Sequence, residues 1–223
     1  MLANATPTGL SPSSGAGAGQ IIVIVDAFHD PNALSDLNTF NAQYGYAQLS
    51  VCTSLSQAGP CFEQSDPQGI PKVDPGWALE ESLDIEWAHA EAPAAKIVLV
   101  EAADSKRTSL FGAVQAANSL GATEASMSFG GTETVGQTSF DTDFTHAGTF
   151  YTASSGDKGA GTGYPATSPN VIAVGGTTLN GCGGTSCSAS PARPPGRARA
   201  AAPRASSRSP ATRPATPAWW RGP

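Results

Sequence analysis

Two carboxylates lie one helical turn apart in the stretch GWALEESLDIEWAHAEAP, residues 76–93. On a helix that advances about 100° per residue, Glu80 and Asp84 project about 40° apart. Like charges held this close do not ionise together readily, so one pKa rises and a proton stays between them. Such a pair can act as a general base toward a hydroxyl nucleophile, chiefly at acidic pH. The alternative is an ordinary solvated acidic helix face.

The helical wheel of the same stretch predicts how the helix packs. Four side chains share one stripe and are expected to face the core: Leu79, Leu83, Trp87 and Ala90. Three polar side chains are expected to face solvent: Ser82, Glu86 and His89. Glu80 and Asp84 then lie at the border of the apolar stripe, where partial burial makes two neighbouring acids costly. The pair therefore needs a compensating reason.

Apolar runs of strand length alternate with helical segments along the chain. The predicted strands are QIIVIVDAF, KIVLVEA, EASMSFGG, TFYTASSGD and NVIAVGGTTL. The predicted helices are DPNALSDLNTFNAQYG, the stretch at 76–93, SLFGAVQAANSLG and a short helix in QTSFDTDFTHAG, and residues 48–75 are predicted as a long polar loop. Strands that are apolar on both faces predict an α/β fold, a parallel sheet covered by helices on both sides. In such sheets functional groups gather at the carboxyl ends of the strands.

The charge of the chain is divided unevenly. All 18 acidic residues and five of the 12 basic ones lie in residues 1–187, and the other seven basic residues, all Arg, lie in 188–223. The segment 188–223 consists mainly of Ala, Pro, Arg and Ser and contains no Val, Ile, Leu, Phe or Met, so we predict disorder there. Its composition suits out-of-frame reading of a GC-rich gene. The alternative is a basic nucleic-acid-binding arm.

The four Cys form two short-range pairs, Cys52 with Cys61 and Cys182 with Cys187. Metal sites favour CxxC spacing or a nearby His, so we interpret both pairs as loop-closing disulfides in an oxidising compartment. A metal site is the alternative. No run of 18 apolar residues would span a membrane. The start, residues 1–20, lacks the pattern of a signal peptide, so either the protein is cytosolic or its secretory leader is missing from this chain.

Five motifs, in order, resemble the sedolisins, the serine-carboxyl peptidases with a subtilisin-like fold. They are GQIIVIVDAFHDPNA, the stretch WALEESLDIEWAHAEAPAAKIVLVEA, SMSFGG, TASSGDKG and YPATSPNVIAVGGTTL, and the resemblance covers about residues 18–181. It implies a partial peptidase domain at 20–187, truncated at its carboxyl side, after a leader or propeptide junction at 1–19. The family's calcium site would lie in the missing part, so no cofactor or metal is expected in this chain.

The resemblance assigns roles to individual residues. Glu80 and Asp84 resemble the acids of the family's Ser-Glu-Asp triad, with Glu80 taking the serine proton and Asp84 orienting it. Asp157 resembles the oxyanion-site aspartate, which must be protonated to donate a hydrogen bond. Asp26 matches a further acid of the proton network in some members, and helix capping is its alternative role.

The stretch SFGG resembles the strand edge along which substrate lies. Its residues are Ser128, Phe129, Gly130 and Gly131. A tight turn that needs Gly is the alternative interpretation. Some members have Trp where Phe129 stands, so that arm of the proton network is in doubt.

The nucleophile is missing from the resemblance. Ser186 lies in GGTSCSASP, but it follows Asp157 by only about thirty residues and lies between Cys182 and Cys187, whereas the family places its serine much later, at the start of a helix. We therefore reject Ser186 as the nucleophile. The family's full-length enzyme would be an acid-acting endopeptidase, and this chain an inactive fragment of it. The alternative is a non-catalytic remnant or a peptide-binding module.

These interpretations fix the expected partners and location. We expect a secreted monomer that meets protein or peptide substrates and binds neither nucleic acid nor membrane. A dinucleotide-binding fold would want GxGxxG after the first strand, which is absent, and a true subtilisin would need a His opening a helix, which none of the three His provides.

Overall fold

The computed structural model describes residues 15–157, 159, 161–176, 178–180 and 188–190. Three predictions therefore concern segments that lie wholly or largely outside the described residues: the junction at 1–19, the Cys182–Cys187 pair and the tail after residue 187. Of that tail only Ser188–Ser190 is described, as a short strand. None of the described helices is long and apolar enough to cross a membrane.

Alternating strands and helices make up the described chain, as predicted. The strands are β1 Ile21–Ala27, β2 Phe62–Ser65, β3 Lys96–Ala102, β4 Glu124–Met127, β5 Phe150–Ser154, β6 Ile172–Val174, β7 Thr178–Asn180 and β8 Ser188–Ser190. The α-helices are α1 Ala33–Tyr44, α2 Pro75–Glu91 and α3 Arg107–Ser119, and a 3₁₀-helix spans Gln137–Phe144. The strand order of the main sheet is β2-β3-β1-β4-β5-β6, while β7 and β8 form a separate antiparallel pair. The predicted α/β fold with a parallel sheet is confirmed.

The chain divides into two compact units. The first contains the described residues up to Ser128 together with His146–Tyr151, and the second contains Phe129–Thr145 and the described residues from Thr152 onward. The first unit holds all three α-helices and β1 to β4. There β1 pairs in parallel with β3 on one side and with β4 on the other, and β2 pairs in parallel with β3.

The core of the first unit follows from the alternation of side chains along its strands. Ile24 and Leu99 are in-register neighbours on β1 and β3, and they share one buried cluster with Leu37 of α1 and Ile85 of α2. The alternate strand positions point to the opposite face of the sheet. Val23 and Val25 of β1 and Val98 and Val100 of β3 are buried there. Burial of both faces explains why these strands are nearly continuous apolar runs.

Local sequence sets the ends of α1 and α2. Gly45 ends α1 in the left-handed conformation, with φ 79°, which costs Gly little because it has no Cβ. Asp74 begins α2, and its Oδ1 accepts hydrogen bonds from the backbone N–H groups of Gly76 at 3.0 Å and Trp77 at 3.1 Å. Pro75 occupies the first turn, where a missing N–H costs nothing.

Two sequence predictions of secondary structure are wrong. The loop predicted at 48–75 contains β2, which the apolar pattern misses because only Phe62 of its four residues is fully buried. Phe62 follows Cys61, which forms a disulfide with Cys52 as predicted. The run NVIAVGGTTL, predicted as one strand, contains β6 and β7, with a break at its two glycines.

The second unit is stabilised by polar contacts. Asp141 Oδ1 accepts hydrogen bonds from the Tyr164 hydroxyl at 3.1 Å and from Ser168 Oγ at 2.7 Å. The Asn170 side chain donates to the Asp141 carbonyl at 2.9 Å. These bonds tie the 3₁₀-helix to the segment that precedes β6.

Candidate active site

The helix α2 lies against the sheet through one row of side chains spaced four residues apart. That row is buried and consists of Trp77, Glu81, Ile85 and His89. Side chains at i and i+4 lie above one another on a helix, so the row forms a single stripe. The sheet-facing stripe of α2 therefore contains two ionisable residues.

This packing contradicts the stripe predicted from the helical wheel. Leu79 is 66% exposed, Leu83 46% and Trp87 52%, and of the predicted core positions only Ala90 is buried. His89, predicted to face solvent, is fully buried. The wheel assumed that the more apolar stripe faces inward, whereas the helix lies on the row that contains Glu81 and His89.

His89 is a packed, neutral side chain. Its Nε2 lies 3.1 Å from the carbonyl of Ala47, and its ring meets that of Tyr46 edge-on. Burial lowers its pKa. Because that pKa lies below the ordinary value, His89 stays uncharged at neutral pH and adds no cation to the site.

The predicted pair, Glu80 and Asp84, projects from α2 at the edge of the buried row. Both side chains are half-buried. Burial raises the pKa of Asp84, and a hydrogen bond from the Ser128 side chain, which favours the ionised form, partly lowers it. Asp84 Oδ2 is buried and accepts no hydrogen bond. Asp84 is thus a carboxyl poised to hold a proton.

Asp26 lies near the end of β1 and is fully buried. Neither of its carboxyl oxygens has a hydrogen-bond partner. Burial raises the pKa of Asp26 well above its ordinary value, and the negative charges of Asp84 and then Glu81 raise it further, so its environment favours the protonated form. The capping alternative is wrong, because neither carboxyl oxygen of Asp26 accepts a hydrogen bond from a helix N–H.

Two further buried acids escaped the sequence analysis. Glu81 is fully buried, and burial, with Glu101 the first of the charges acting on it, raises its pKa to about 9. Glu101 is the in-register neighbour of Asp26 on β3 and is also fully buried. Two features of the sequence could have revealed them. Glu81 lies four residues from both Trp77 and Ile85, and the strand ends VDA and VEA carry acids at matching positions.

The predicted site residues are divided between the two units. Glu80, Asp84, Asp26 and Ser128 lie in the first unit, and Phe129, Gly130, Gly131 and Asp157 lie in the second. The structure brings Asp84 together with Ser128 and couples it to Asp26. The meeting of Asp157 with Glu80 and Asp84 stays a prediction.

Within the second unit, the residues of the predicted substrate edge have distinct environments. Phe129 is buried. Gly131 exchanges two backbone hydrogen bonds with Tyr164, each 2.9 Å long, so its N–H and carbonyl are already paired. Asp157 is exposed at a bend that follows Gly156, whose φ is 101°.

One group of side chains in the first unit could hold a metal ion. His29, Asp66 and Glu101 each offer one ligand atom, and these atoms lie within 4.8 Å of one another. The three residues come from different segments of the sequence, so no local spacing motif predicts that they meet.

Comparison with known proteins places the fold in a family. The sequence matches the subtilase family over residues 77–220. No curated protein matches it. Among solved structures, it resembles the Pseudomonas sedolisin, a serine-carboxyl proteinase, complexed with two molecules of pseudo-iodotyrostatin, with a TM-score of 0.59 and 25% sequence identity. That similarity covers 78% of this chain and 52% of the sedolisin chain, so the present chain spans about half the length of that relative. With a family match over more than half of its residues and the parallel sheet of a subtilisin-like fold, the chain belongs to the subtilase family.

Proposed function

We propose that this chain is the amino-terminal part of the catalytic domain of a secreted, acid-acting endopeptidase of the serine-carboxyl type. The observation that carries the proposal is the state of Asp84. It is half-buried, its pKa is raised by burial, it accepts a hydrogen bond from Ser128, and its charge acts on the buried Asp26. The family match supports peptidase chemistry, and the likeness to a serine-carboxyl proteinase supports the carboxylate version of it.

The roles follow from proton affinity. Glu80 would accept the proton of the nucleophilic serine, because a carboxylate that shares a proton with a neighbour is a base mainly at acidic pH. Asp84 would orient Glu80 through that shared proton. Asp26, whose raised pKa favours the protonated form and whose carboxyl oxygens have no hydrogen-bond partner, would hold a proton close to Asp84. In the second unit Asp157, when protonated, would donate a hydrogen bond to the oxyanion of the tetrahedral intermediate.

The acidic pH range has a physical reason in the first unit. Asp26 and Asp84 both have raised pKa values, so they keep their protons as pH rises from acid values, when ordinary carboxyls have already lost theirs. A network that works by sharing protons needs those protons present. Above the raised pKa values the acids would ionise together, and their repulsion would abolish the shared proton.

The location and the substrate belong to the same proposal. The disulfide between Cys52 and Cys61 supports an oxidising compartment, and we propose secretion. The substrate would be a protein or peptide chain held along the segment from Ser128 to Gly131. Since Gly131 is already paired to Tyr164, the backbone groups from Ser128 to Gly130 would carry the pairing with substrate.

We further propose that the chain as written is inactive. Ser186 lies outside the described residues, and its neighbours GGTSC suit a hairpin closed by Cys182 and Cys187. Without the serine, covalent catalysis is lost even when the carboxylates are in place.

The experiment is a fluorogenic peptide assay on purified residues 1–223 between pH 3 and pH 7. The proposal predicts no turnover. Serine-dependent turnover that is lost in Ser186→Ala would overturn the rejection of Ser186. Reading the gene in its other frames beyond codon 187 should recover a serine motif. In the resulting longer protein, Glu80→Gln and Asp84→Asn should each abolish cleavage without unfolding the domain, whereas the surface variant Glu91→Gln should cleave as before.

A further inference from the structure

The carboxyl ends of three neighbouring strands bring three potential ligands together in the first unit. His29 follows β1, Asp66 follows β2 directly, and Glu101 lies near the end of β3. The sheet order β2-β3-β1 places Glu101 on the middle strand, between the other two. This convergence explains why one Nδ1 or Nε2 and two carboxyl oxygens fall within 4.8 Å of one another.

Glu101 is held in one orientation by its neighbours. Its Oε1 accepts hydrogen bonds from the backbone N–H of Asp30 at 2.9 Å and from Gln64 Nε2 at 2.7 Å. Gln64 is itself fixed, since the same Nε2 also donates to the carbonyl of Asp30 at 2.9 Å. The other oxygen, Oε2, lies 2.7 Å from His29 Nδ1. Supporting hydrogen bonds of this kind orient the ligands of metal sites.

One carboxyl oxygen beside Glu101 lacks a hydrogen-bond donor. Asp66 Oδ1 is buried and accepts no hydrogen bond, although the Asp66 carboxyl lies against that of Glu101. Two carboxyl groups in contact need a proton or a cation between them. The site thus contains an acceptor that the described chain does not satisfy.

A second acid without a hydrogen-bond partner, Glu81 of α2, lies near the same cluster. Glu81 is fully buried, and neither of its carboxyl oxygens has a partner. It belongs to the sheet-facing row of α2, and the charges of Glu101, Asp30 and Asp66 are the first three that act on it. Glu81 is not one of the ligands, but the three carboxyls that act on it form a cluster of negative charge that a cation would offset.

We propose that His29, Asp66 and Glu101 form a binding site for a divalent transition metal ion of the Zn²⁺ class. One imidazole nitrogen and two carboxylate oxygens suit Zn²⁺, whereas Ca²⁺ selects oxygens alone. The side chain of His29 is 20% exposed, which gives the ion a path from solvent and leaves room for a water ligand.

The distances are compatible with that ion after small shifts. Ligands about 2.0–2.2 Å from a tetrahedral Zn²⁺ lie about 3.3 Å from one another. His29 Nδ1 and Glu101 Oε2 would separate slightly from 2.7 Å as the ion replaces the proton between them. The half-buried Asp66, after the end of β2, would close the remaining gap. The bound ion would join the ends of β1, β2 and β3 and so stabilise the unit that carries Glu80 and Asp84.

The test is a calorimetric titration of metal-free, tag-free protein with Zn²⁺, repeated with Ca²⁺. The background carries Cys182→Ser and Cys187→Ser, so that these thiols cannot bind the probe. We expect one equivalent of Zn²⁺ to bind, and a rise in melting temperature with it, because the ion binds only the folded state. His29→Asn and Glu101→Gln should each weaken binding by at least about tenfold. His146→Asn, which changes an exposed His whose Nδ1 lies 3.2 Å from Thr149 Oγ1, should bind as the parent does.

Three results would overturn the proposal. Absence of Zn²⁺ binding by the parent would leave a proton-sharing pair at this position. Equal binding by His29→Asn and the parent would place the ion elsewhere, as would equal weakening by His146→Asn. Circular dichroism in EDTA checks that each variant is folded, and Asp66→Asn serves as the third ligand variant where Glu101→Gln does not fold. Peptidase activity does not enter this test, so its outcome is separate from that of the proposed function.

Discussion

Asp26 and Glu101 are in-register neighbours on β1 and β3, and both carboxyl groups are fully buried. Glu81 lies above them on the sheet-facing row of α2. The interior of this unit therefore contains an acidic layer beneath the helix that carries Glu80 and Asp84. Buried acids keep their protons to higher pH than exposed ones, and this layer links the stability of the fold to the acidic range in which the proposed site would work.

The first prediction concerns Glu81→Gln. The pKa of Glu81 is about 9 in the folded chain, so the unfolded chain releases this proton from about pH 4.5 upward while the folded chain retains it. The free energy of unfolding therefore falls as pH rises between those values. Gln removes that loss, so the variant should be more stable than the parent by up to about 3 kcal/mol at pH 7 and equal to it at pH 4. Urea unfolding followed by circular dichroism measures both.

The groups that face Glu81 sharpen this experiment. They are Asp26 on β1, Glu101 on β3, and Asp30, Asp66 and Asp74 in the adjoining segments. All are acids, so none offsets the cost of ionising Glu81. Measurements in EDTA exclude a bound cation. The exposed neighbour variant Glu91→Gln should leave the pH profile unchanged. Lower stability of Glu81→Gln at pH 7 would show that Glu81 is ionised and paired.

The second prediction concerns Ser128→Ala. The Ser128 side chain donates a hydrogen bond to Asp84 and thereby lowers its pKa. Removing the hydroxyl should raise the pKa of Asp84 further, because burial then acts without compensation. Carboxyl ¹³C chemical shifts followed through a pH titration report that pKa. Ser119→Ala, on the exposed side of α3, is the matched control. An unchanged or lowered Asp84 pKa in Ser128→Ala would remove Ser128 from the site.

The third prediction concerns the disulfide between Cys52 and Cys61, which are nine residues apart. Closing a loop of this length restricts the unfolded chain, so replacing both residues by Ser should lower the free energy of unfolding by about 2–3 kcal/mol. Denaturant unfolding at pH 5 measures the loss. Reduction of the parent should lower stability to a similar extent, and reduction of the double variant should not lower it further. A double variant as stable as the oxidised parent would contradict the prediction.

The sequence predicts the fold well because its strands and helix ends are local features. The apolar runs of β1 and β3, the Asp74 cap and the Gly45 stop each depend on a few neighbouring residues. The short strand β2 escapes because it is recognised only through its pairing with β3. The disulfide that precedes it was predictable from spacing alone.

The acidic layer was not predictable in the same way. Hydrophobicity placed Leu83 inside and His89 outside, and the structure reverses both. Tertiary packing decides which row of α2 lies on the sheet. Here it buries a row in which only Trp77 and Ile85 are apolar, and it leaves the more apolar row with Leu83 exposed. Glu101 lies beside Asp26, His29 and Asp66 because of the order of the strands in the sheet. These residues are far apart in the sequence, so no local spacing predicts their contact.

The central claim is that Glu80 and Asp84 share a proton, and the pKa of Asp84 tests it most directly. Carboxyl ¹³C shifts of Asp84 in residues 1–223 should be followed from pH 3 to pH 9, in the parent and in Glu80→Gln. If the two acids share a proton, removal of the charge of Glu80 lowers the pKa of Asp84 from its raised value, whereas the control Glu91→Gln leaves it unchanged. An Asp84 that titrates at the same pH with and without the carboxylate of Glu80 would contradict the proposed catalytic pair.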